Sequence, residues 1–213
     1  MKLSRKLQSS FEKGVTMNDE QLNDLILQSL EHEMGGVRIY EKAVECAVNP
    51  DLREEWEKYL DQTRTHVEIL AGVCKAFGLD ANAQVPSRKV VNTVGLALVE
   101  AMDLALGAGN PAAAQIVACE CVVLAETKDH SDWELLAKCS EKLTGTRAKA
   151  LRAACDQVED QEDEHLYHTK GWCRELWIQA LGMPAVLPPP EEERDVKTAI
   201  GAARAEQESA ASR

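Results

Sequence analysis

Residues 161 to 172 read QEDEHLYHTKGW, and they set Glu162 three positions before His165. Leu166, Trp172 and, further on, Leu176 are apolar residues at helical spacing around this pair. Side chains three or four positions apart share one face of a helix. The stretch therefore predicts a long helix, and it raises the question of whether this carboxylate and this imidazole face solvent or the core.

The composition of the whole chain favours helices. Of its 213 residues, 45% are hydrophobic and 28% are charged, but only 4% are aromatic. Alanine, leucine, glutamate, lysine and glutamine are good helix formers, whereas strands need more β-branched and aromatic residues. A chain of this length can bury one sizeable core. We therefore expect a nearly all-α fold with one main domain.

Charge and cysteine content limit the classes of function. A formal net charge of −12 argues against non-specific nucleic-acid binding, because phosphate contacts need clustered lysine and arginine. The seven cysteines are mostly isolated and include no Cys-x-x-Cys pair, which predicts reduced thiols and neither a zinc ribbon nor a rubredoxin-type iron site. The sequence has no apolar signal segment and no uninterrupted run of about 18 apolar residues. We expect a cytoplasmic chain that is neither secreted nor membrane-spanning.

Residues that begin or end helices divide the chain into four long predicted helices, A to D, and one shorter helix. Asn18 and Gln21 have the spacing of a capping box at the start of helix A, and Gly78 suits the end of helix B. The predicted helices are A from Asn18 to the residue before Asn49-Pro50, B from about Asp51 to Phe77, the shorter helix from Val90 to Leu106, C from Ala112 to Leu143, and D from Arg147 to Leu181.

Two helical hairpins joined by a connection that contains a helix predict a four-helix bundle with a long crossover between helices B and C. The bundle domain would cover residues 18–181. A basic N-terminal segment, residues 1–17, precedes it. Residues 182–213 follow as an extended C-terminal arm that contains three consecutive prolines and is expected to be partly disordered.

Each long helix has an apolar stripe that polar residues interrupt near its middle. The interruptions are Glu33 in helix A, His66 in helix B, Glu126 in helix C, and Glu162 and His165 in helix D. At a rise of about 1.5 Å per residue, the interruptions within each hairpin lie about equally far from its turn. They are therefore expected in one layer of the core. Burying an unpaired charge costs a prohibitive free energy, whereas buried carboxylates and imidazoles can bind a cation together. This layer therefore predicts a metal site.

With these residues the chain resembles the ferritin-like superfamily of di-iron and di-manganese carboxylate proteins, and most of all its rubrerythrin branch. Such bundles take a single glutamate from each of two helices and a Glu-x-x-His motif from each of the other two. Helix D matches with residues 162–165, and helix A matches with Glu33 followed seven residues later by Tyr40. Helix C matches with Glu126, followed by Asp129 where rubrerythrins often have a second glutamate. The resemblance covers about residues 18–181.

Helix B departs from the family pattern, because it has His66 but carries Thr63 where a glutamate is expected. An ordinary two-metal centre is therefore in question. Asp129 and His130 are the candidate substitutes for the missing ligand.

The resemblance implies an iron or manganese centre, with one or two ions per chain, that reacts with dioxygen or peroxide as a ferroxidase or a peroxide reductase. Peroxide reduction would need an external electron donor, because the chain lacks a rubredoxin site. The resemblance further implies roles for the individual residues: Glu126 and Glu162 as bridging ligands, Glu33, His66 and His165 as terminal ligands, and Tyr40 as a hydrogen-bond donor or radical trap.

Two other interpretations stay open. The first is a non-catalytic helical protein that dimerises and whose inward polar residues form a metal-free hydrogen-bond network. The second is a di-iron oxygenase for an organic substrate, which would need a pocket beside the centre. Exposed apolar residues and the arm after Leu187 also predict a homodimer.

Overall fold

The computed structural model describes residues 17–186, which form five α-helices and no strand. The helices are α1 (Asp19–Cys46), α2 (Pro50–Phe77), α3 (Pro86–Gly107), α4 (Pro111–Lys142) and α5 (Gly145–Ala180). The all-α prediction is confirmed for this part of the chain. Most of the predicted basic segment and most of the predicted C-terminal arm lie outside the described residues.

Local capping contacts explain where the helices begin and end. The Asn18 side chain accepts hydrogen bonds from two amides in the first turn of α1, and Asn49 does the same for α2. Gly78 ends α2 with φ of 70°, a backbone conformation that glycine adopts without strain. Helix α3 begins at Pro86, about one turn before the predicted Val90, because proline is well suited to the first helical position.

Four of the helices form the bundle, and each contacts two of the others. Helix α1 packs against α2 and α4, and helix α5 packs against α4 and α2. Helix α3 lies outside this group and packs against α1 and α4. The core contains two apolar clusters, one around Trp56 and Trp172 and the other around Ile26 and Leu151. The polar residues near the middle of the bundle helices lie between these two clusters.

Helix α3 buries one side against the bundle. Its Arg88 forms an ion pair with Glu31 at 2.6 Å and also donates a hydrogen bond to the carbonyl of Ala81. Gly95 of α3 faces Gly35 of α1, where a Cβ atom at position 95 would lie in ordinary contact, 3.7 Å from the Cα of Gly35. The contacts of Arg88 therefore hold α3 on the outer face of α1.

The other side of α3 is exposed and apolar. Val90 and Leu104 expose 64% and 70% of their surface. Among the described helices, α3 has the length and apolar composition to cross a membrane, a test that helices of soluble proteins can also pass. Glu100 and Asp103 interrupt the apolar run. The location of the protein in the cell stays a prediction from the sequence.

All seven cysteines are free thiols, as the sequence predicts. Five of them are buried. Burial raises the pKa of Cys46 and Cys121 to about 11 and that of Cys155 to about 12. These thiols are therefore protonated near neutral pH, so they behave as small core residues.

Candidate metal centre

Five polar side chains from the four bundle helices meet between the two apolar clusters. This polar layer consists of Glu33 from α1, His66 from α2, Glu126 from α4, and Glu162 and His165 from α5. None of the five residues exposes more than 3% of its surface. The structure thus brings together all five residues that the sequence predicts as metal ligands.

Glu33, His66 and Glu162 form the first of two groups, in which one nitrogen or oxygen atom from each residue lies within 4.8 Å of the others. Nδ1 of His66 lies 3.1 Å from Oε1 of Glu162 and 3.5 Å from Oε1 of Glu33. The opposite nitrogen, Nε2, contacts Oε1 of Gln161 at 2.9 Å. Because the amide oxygen accepts the Nε2 proton, a neutral His66 presents the lone pair of Nδ1 to two carboxylates.

Glu126, Glu162 and His165 form the second group within the same distance limit. Nδ1 of His165 lies 3.6 Å from Oε2 of Glu126 and 3.8 Å from Oε1 of Glu162. Nε2 contacts Oε1 of Gln62 at 3.0 Å. Both imidazoles are therefore held in the same way, with a glutamine on one nitrogen and carboxylates beside the other. Glu162 is common to the two groups.

Several atoms of this layer lack a hydrogen-bond partner among the described residues. They are Oε2 of Glu33, Nδ1 of His66, Oε2 of Glu126, both carboxylate oxygens of Glu162, and Oδ1 of the adjacent Asp129. Buried polar atoms are nearly always hydrogen-bonded, and each one left unpaired costs about 1–3 kcal/mol. Carboxylate oxygens and an imidazole nitrogen converging without donors are the ligand set that a divalent cation such as iron or manganese requires. The residues present therefore fit a metal.

Burial and, after it, mutual repulsion favour the protonated forms of two carboxyl groups in this layer. Burial, followed by the nearby carboxylates Glu126 and Glu33, raises the pKa of Glu162 well above its usual range. Burial and the same two carboxylates, together with Glu162, raise the pKa of Asp129 as well.

The pKa values of Glu126 and His66 shift in the direction opposite to the effect of burial, because each group has a partner of opposite charge. Burial opposes ionisation of Glu126, but the contact with His165 outweighs it and lowers the pKa of this glutamate. Burial likewise opposes protonation of His66, but the contact with Glu33 raises its pKa. Protons on Glu162, Asp129 and His66 are those that a cation would displace.

The two candidate substitute ligands lie in different surroundings. Asp129 is buried, and the nearby carboxylates of Glu33 and Glu162 oppose its ionisation. It belongs to neither of the two carboxylate–histidine groups. His130 lies nearer the surface, where Nε2 is 2.8 Å from Oδ1 of Asp163. The structure therefore brings Asp129, but not His130, to the edge of the polar layer.

Thr63, at the position where the family has glutamate, is buried between α2 and α1. Its hydroxyl donates a hydrogen bond to the carbonyl of Tyr59 at 2.9 Å. Its methyl group faces Gly36, where an added Cβ atom would lie only 3.1 Å away. The Thr63 hydroxyl is thus hydrogen-bonded within its own helix. Thr63 supplies neither a charge nor a free ligand atom to the layer.

Aromatic side chains enclose the layer. The Tyr40 hydroxyl lies beside Glu126, and burial together with that carboxylate raises the pKa of Tyr40 well above its usual range. On the other side, Nε1 of Trp133 donates a hydrogen bond to Oε1 of Glu33 at 2.8 Å. The Tyr59 ring lies 4.2 Å from the His165 ring, measured between centroids.

A second buried network adjoins the layer and was not predicted as a unit. Glu55 accepts hydrogen bonds from Tyr59 at 2.5 Å and from Trp172 at 2.7 Å, and its Oε1 lies 3.0 Å from Nδ1 of His168. Burial opposes ionisation of Glu55, but these contacts, His168 first, lower its pKa. The four-residue spacings between Glu55 and Tyr59 and between His168 and Trp172 are the sequence signal for it. Unlike the polar layer, this network satisfies its carboxylate internally.

The fold and the site define a class: an all-α helical bundle with a buried carboxylate–histidine cluster in two groups that share one glutamate. Comparisons of the chain with protein-family models, with curated proteins and with solved structures found no match. Functional conclusions therefore depend on the residues of this chain alone.

Proposed function

We propose that this chain is a ferritin-like protein whose polar layer binds iron or manganese and lets the metal react with dioxygen or peroxide, as a ferroxidase or a peroxide reductase. The observation that carries the proposal is the membership of Glu162 in two carboxylate–histidine groups. A carboxylate common to two such groups is the arrangement expected of a bridging ligand in a di-metal bundle.

The direction of the helices supports the ferritin-like part of the proposal. Along α2, Lys58 contacts Glu164 and His66 contacts Gln161, so α2 and α5 run antiparallel. Helix α4 joins α5 through a short turn and also runs antiparallel to it. Helices α2 and α4 therefore point the same way, and the segment containing α3 must return the chain along the bundle. Such a return is the crossover expected from the resemblance.

The geometry favours a single bridging glutamate. Glu33 and His66 would hold one ion, Glu126 and His165 would hold the other, and Glu162 would be shared. The sequence-based expectation had Glu126 as a second bridge, whereas Glu126 belongs to one group only. Thr63 stands where the family has a glutamate, and it has no carboxylate. This centre would therefore have fewer bridging ligands than the family pattern provides.

When bound, iron or manganese would supply the electron-transfer chemistry with dioxygen or peroxide. The chain's own residues hold and shield that metal. Gln62 and Gln161 orient the two imidazoles so that Nδ1 faces the carboxylates. The apolar clusters above and below exclude bulk water. Tyr40 stands beside Glu126, and its buried hydroxyl, which has no hydrogen-bond partner among the described residues, is available there as a donor. Repeated peroxide reduction would draw electrons from an external donor.

The two competing interpretations account for fewer of the observations. A metal-free network should satisfy its buried carboxylates, as the Glu55 network does, yet Glu162 has no hydrogen-bond partner on either oxygen among the described residues. An oxygenase needs an apolar pocket beside the centre. The pocket that reaches Glu162 has apolar walls at Trp133, Cys155 and Tyr167, but it also carries Glu134, Glu159 and Asp163, and these carboxylates suit a cation better than an organic substrate.

The test is metal analysis of protein produced in medium with added iron and manganese and purified without chelators. We expect at least one ion per chain, with anomalous diffraction peaks at the polar layer at the iron or manganese absorption edge. Metal-free protein with no anomalous peak, even after incubation with ferrous iron or Mn²⁺, would refute the proposal. The rate of oxidation of added ferrous iron then distinguishes a reactive centre from a storage or structural one.

A further inference from the structure

A pocket of about 300 Å³ opens between α4 and α5 and reaches the polar layer. Glu162 and Trp133, both buried, form its inner end, while Glu134 and Asp163 have exposed side chains at its outer end. Six waters at about 30 Å³ each occupy roughly 180 Å³, so the pocket has room for a hydrated ion. It therefore connects solvent to the glutamate that both groups share.

The lining of this pocket is acidic. Glu134, Glu159 and Asp163 contribute carboxylates, and Glu162 lies at the inner end. Within residues 17–186, neither a lysine nor an arginine lines the pocket. A concave surface of one sign of charge concentrates the opposite ion and raises its rate of association. The electrostatics of the pocket thus favour cations over anions.

A histidine nitrogen and a carboxylate oxygen lie side by side on the wall of this pocket. Nε2 of His130 lies 2.8 Å from Oδ1 of Asp163, and Nδ1 of His130 lies 3.9 Å from Oε2 of Glu134. His130 is one helical turn after Glu126, and Asp163 directly follows Glu162. The side chains of His130 and Asp163 are 15% and 45% exposed, unlike the fully buried residues of the polar layer one step further in.

An independent observation at the inner end also points to a cation. Glu162 is 2% exposed, yet neither of its carboxylate oxygens has a hydrogen-bond partner among the described residues. An acidic pocket leading to a carboxylate without donors is not explained by solvation of a charged surface, because Glu162 itself is almost fully buried.

We propose that this pocket is the uptake site through which a divalent cation reaches the buried centre, with His130 and Asp163 binding the ion in transit. The inference rests on the proposed function, since the polar layer is the destination. His130 and Asp163 replace part of the hydration shell of the ion before it passes to Glu162. Their contribution is to the rate of loading, not to the final occupancy.

The experiment uses full-length, metal-free protein and Co²⁺ as a coloured probe, with binding followed by stopped-flow absorption and final stoichiometry measured by metal analysis. The double variant H130A/D163N should bind as much Co²⁺ as the wild type but about tenfold more slowly. Added salt should slow the wild type more than the variant. Glu57→Gln removes one negative charge from an exposed position on α2 and should leave the loading rate unchanged.

Each outcome has a separate meaning. Equal loading rates for H130A/D163N and wild type overturn the uptake site and leave the proposed function standing. Loss of Co²⁺ from the variant at equilibrium overturns the transit role, because the two residues would then be permanent ligands. No Co²⁺ bound by the wild type refutes the proposed function itself. If H130A/D163N fails to fold, the exposed pair E134Q/E159Q replaces it, with slower loading at unchanged stoichiometry as the expected result.

Discussion

Oε1 of Glu162 lies 3.1 Å from Nδ1 of His66, across the bundle from α5 to α2. Gln161 occupies the other nitrogen of that imidazole, so the atom between Nδ1 and the carboxylate has to be a proton or a cation. In the proposed centre a proton and a metal ion would compete for this position.

His165→Ala should lose most of the bound metal, because one of the two imidazole ligands disappears while buried carboxylates are left less neutralised. Metal content after identical growth and purification is the measurement. His32→Ala is the matched control, since His32 is also buried but contacts the carbonyl of Ala125 outside both groups. Equal metal content in His165→Ala and wild type would contradict the site.

Thr63→Glu should raise the bound metal toward two ions per chain and speed the oxidation of added ferrous iron. Two divalent ions carry four positive charges, whereas the two groups contain three carboxylates. The wild type is therefore expected to hold one ion tightly and the other weakly. Position 63 faces Gly36 of α1, where no side chain stands between the two helices.

Thr63→Gln is the control for this experiment, because it adds the same length without charge. Titration with ferrous iron under anaerobic conditions gives the stoichiometry of all three proteins. Two tightly bound ions in the wild type would show instead that Asp129 supplies the fourth carboxylate.

Metal binding should release protons and should stabilise the protein more as pH rises. In the metal-free state the pKa values of Glu162 and Asp129 are raised, so their protonated forms stabilise the fold below the ordinary carboxyl pKa. That stabilisation is lost as pH rises through the raised values, and the raised pKa of His66 acts in the same direction. A bound cation replaces these protons and removes the loss.

The difference in Tm between metal-free and Mn²⁺-loaded protein should therefore be larger at about pH 7.5 than at about pH 5.5. Calorimetry in two buffers of different ionisation enthalpy measures the protons released. Binding without proton release would mean that the carboxylates are already ionised in the metal-free layer.

Gln161→Leu should weaken metal binding about 10- to 100-fold, although Gln161 is not expected to touch the metal. Without the amide oxygen, His66 can adopt the tautomer that carries its proton on Nδ1, facing the carboxylates. Competition with a chelator measures the affinity. Gln161→Glu, which restores an acceptor at this position, should recover most of the loss, whereas a purely structural role would not distinguish the two variants.

The predicted homodimer can be tested by light scattering. The exposed apolar side of α3, with Val90 and Leu104, is a surface that a second copy would cover. A double substitution of Val90 and Leu104 by lysine should shift the mass toward the monomer, and truncation after Leu181 tests the arm separately. A wild-type monomer would remove the prediction altogether.

The sequence predicts the helices well because their ends depend on local chemistry, such as the asparagine caps at Asn18 and Asn49 and the glycine at Gly78. The height of the polar layer also follows from counting residues along helices of fixed rise. Counting residues does not predict how each helix is rotated about its own axis. For that reason the sequence could not separate Glu126 from Glu162 as a shared ligand, and it gave no sign that Gln62 and Gln161 hold the imidazoles.

The hydrogen bond from the Trp133 indole to Glu33 ties a fluorophore directly to the polar layer. The chain has four tryptophans. Trp56 and Trp172 belong to the apolar cluster on one side, and Trp177 donates a hydrogen bond to Glu120. Trp133 is the indole bonded to a proposed ligand. Emission from this indole should change when a cation binds beside Glu33. The fold thus contains its own optical reporter of occupancy, readable in solution without a substrate or a label.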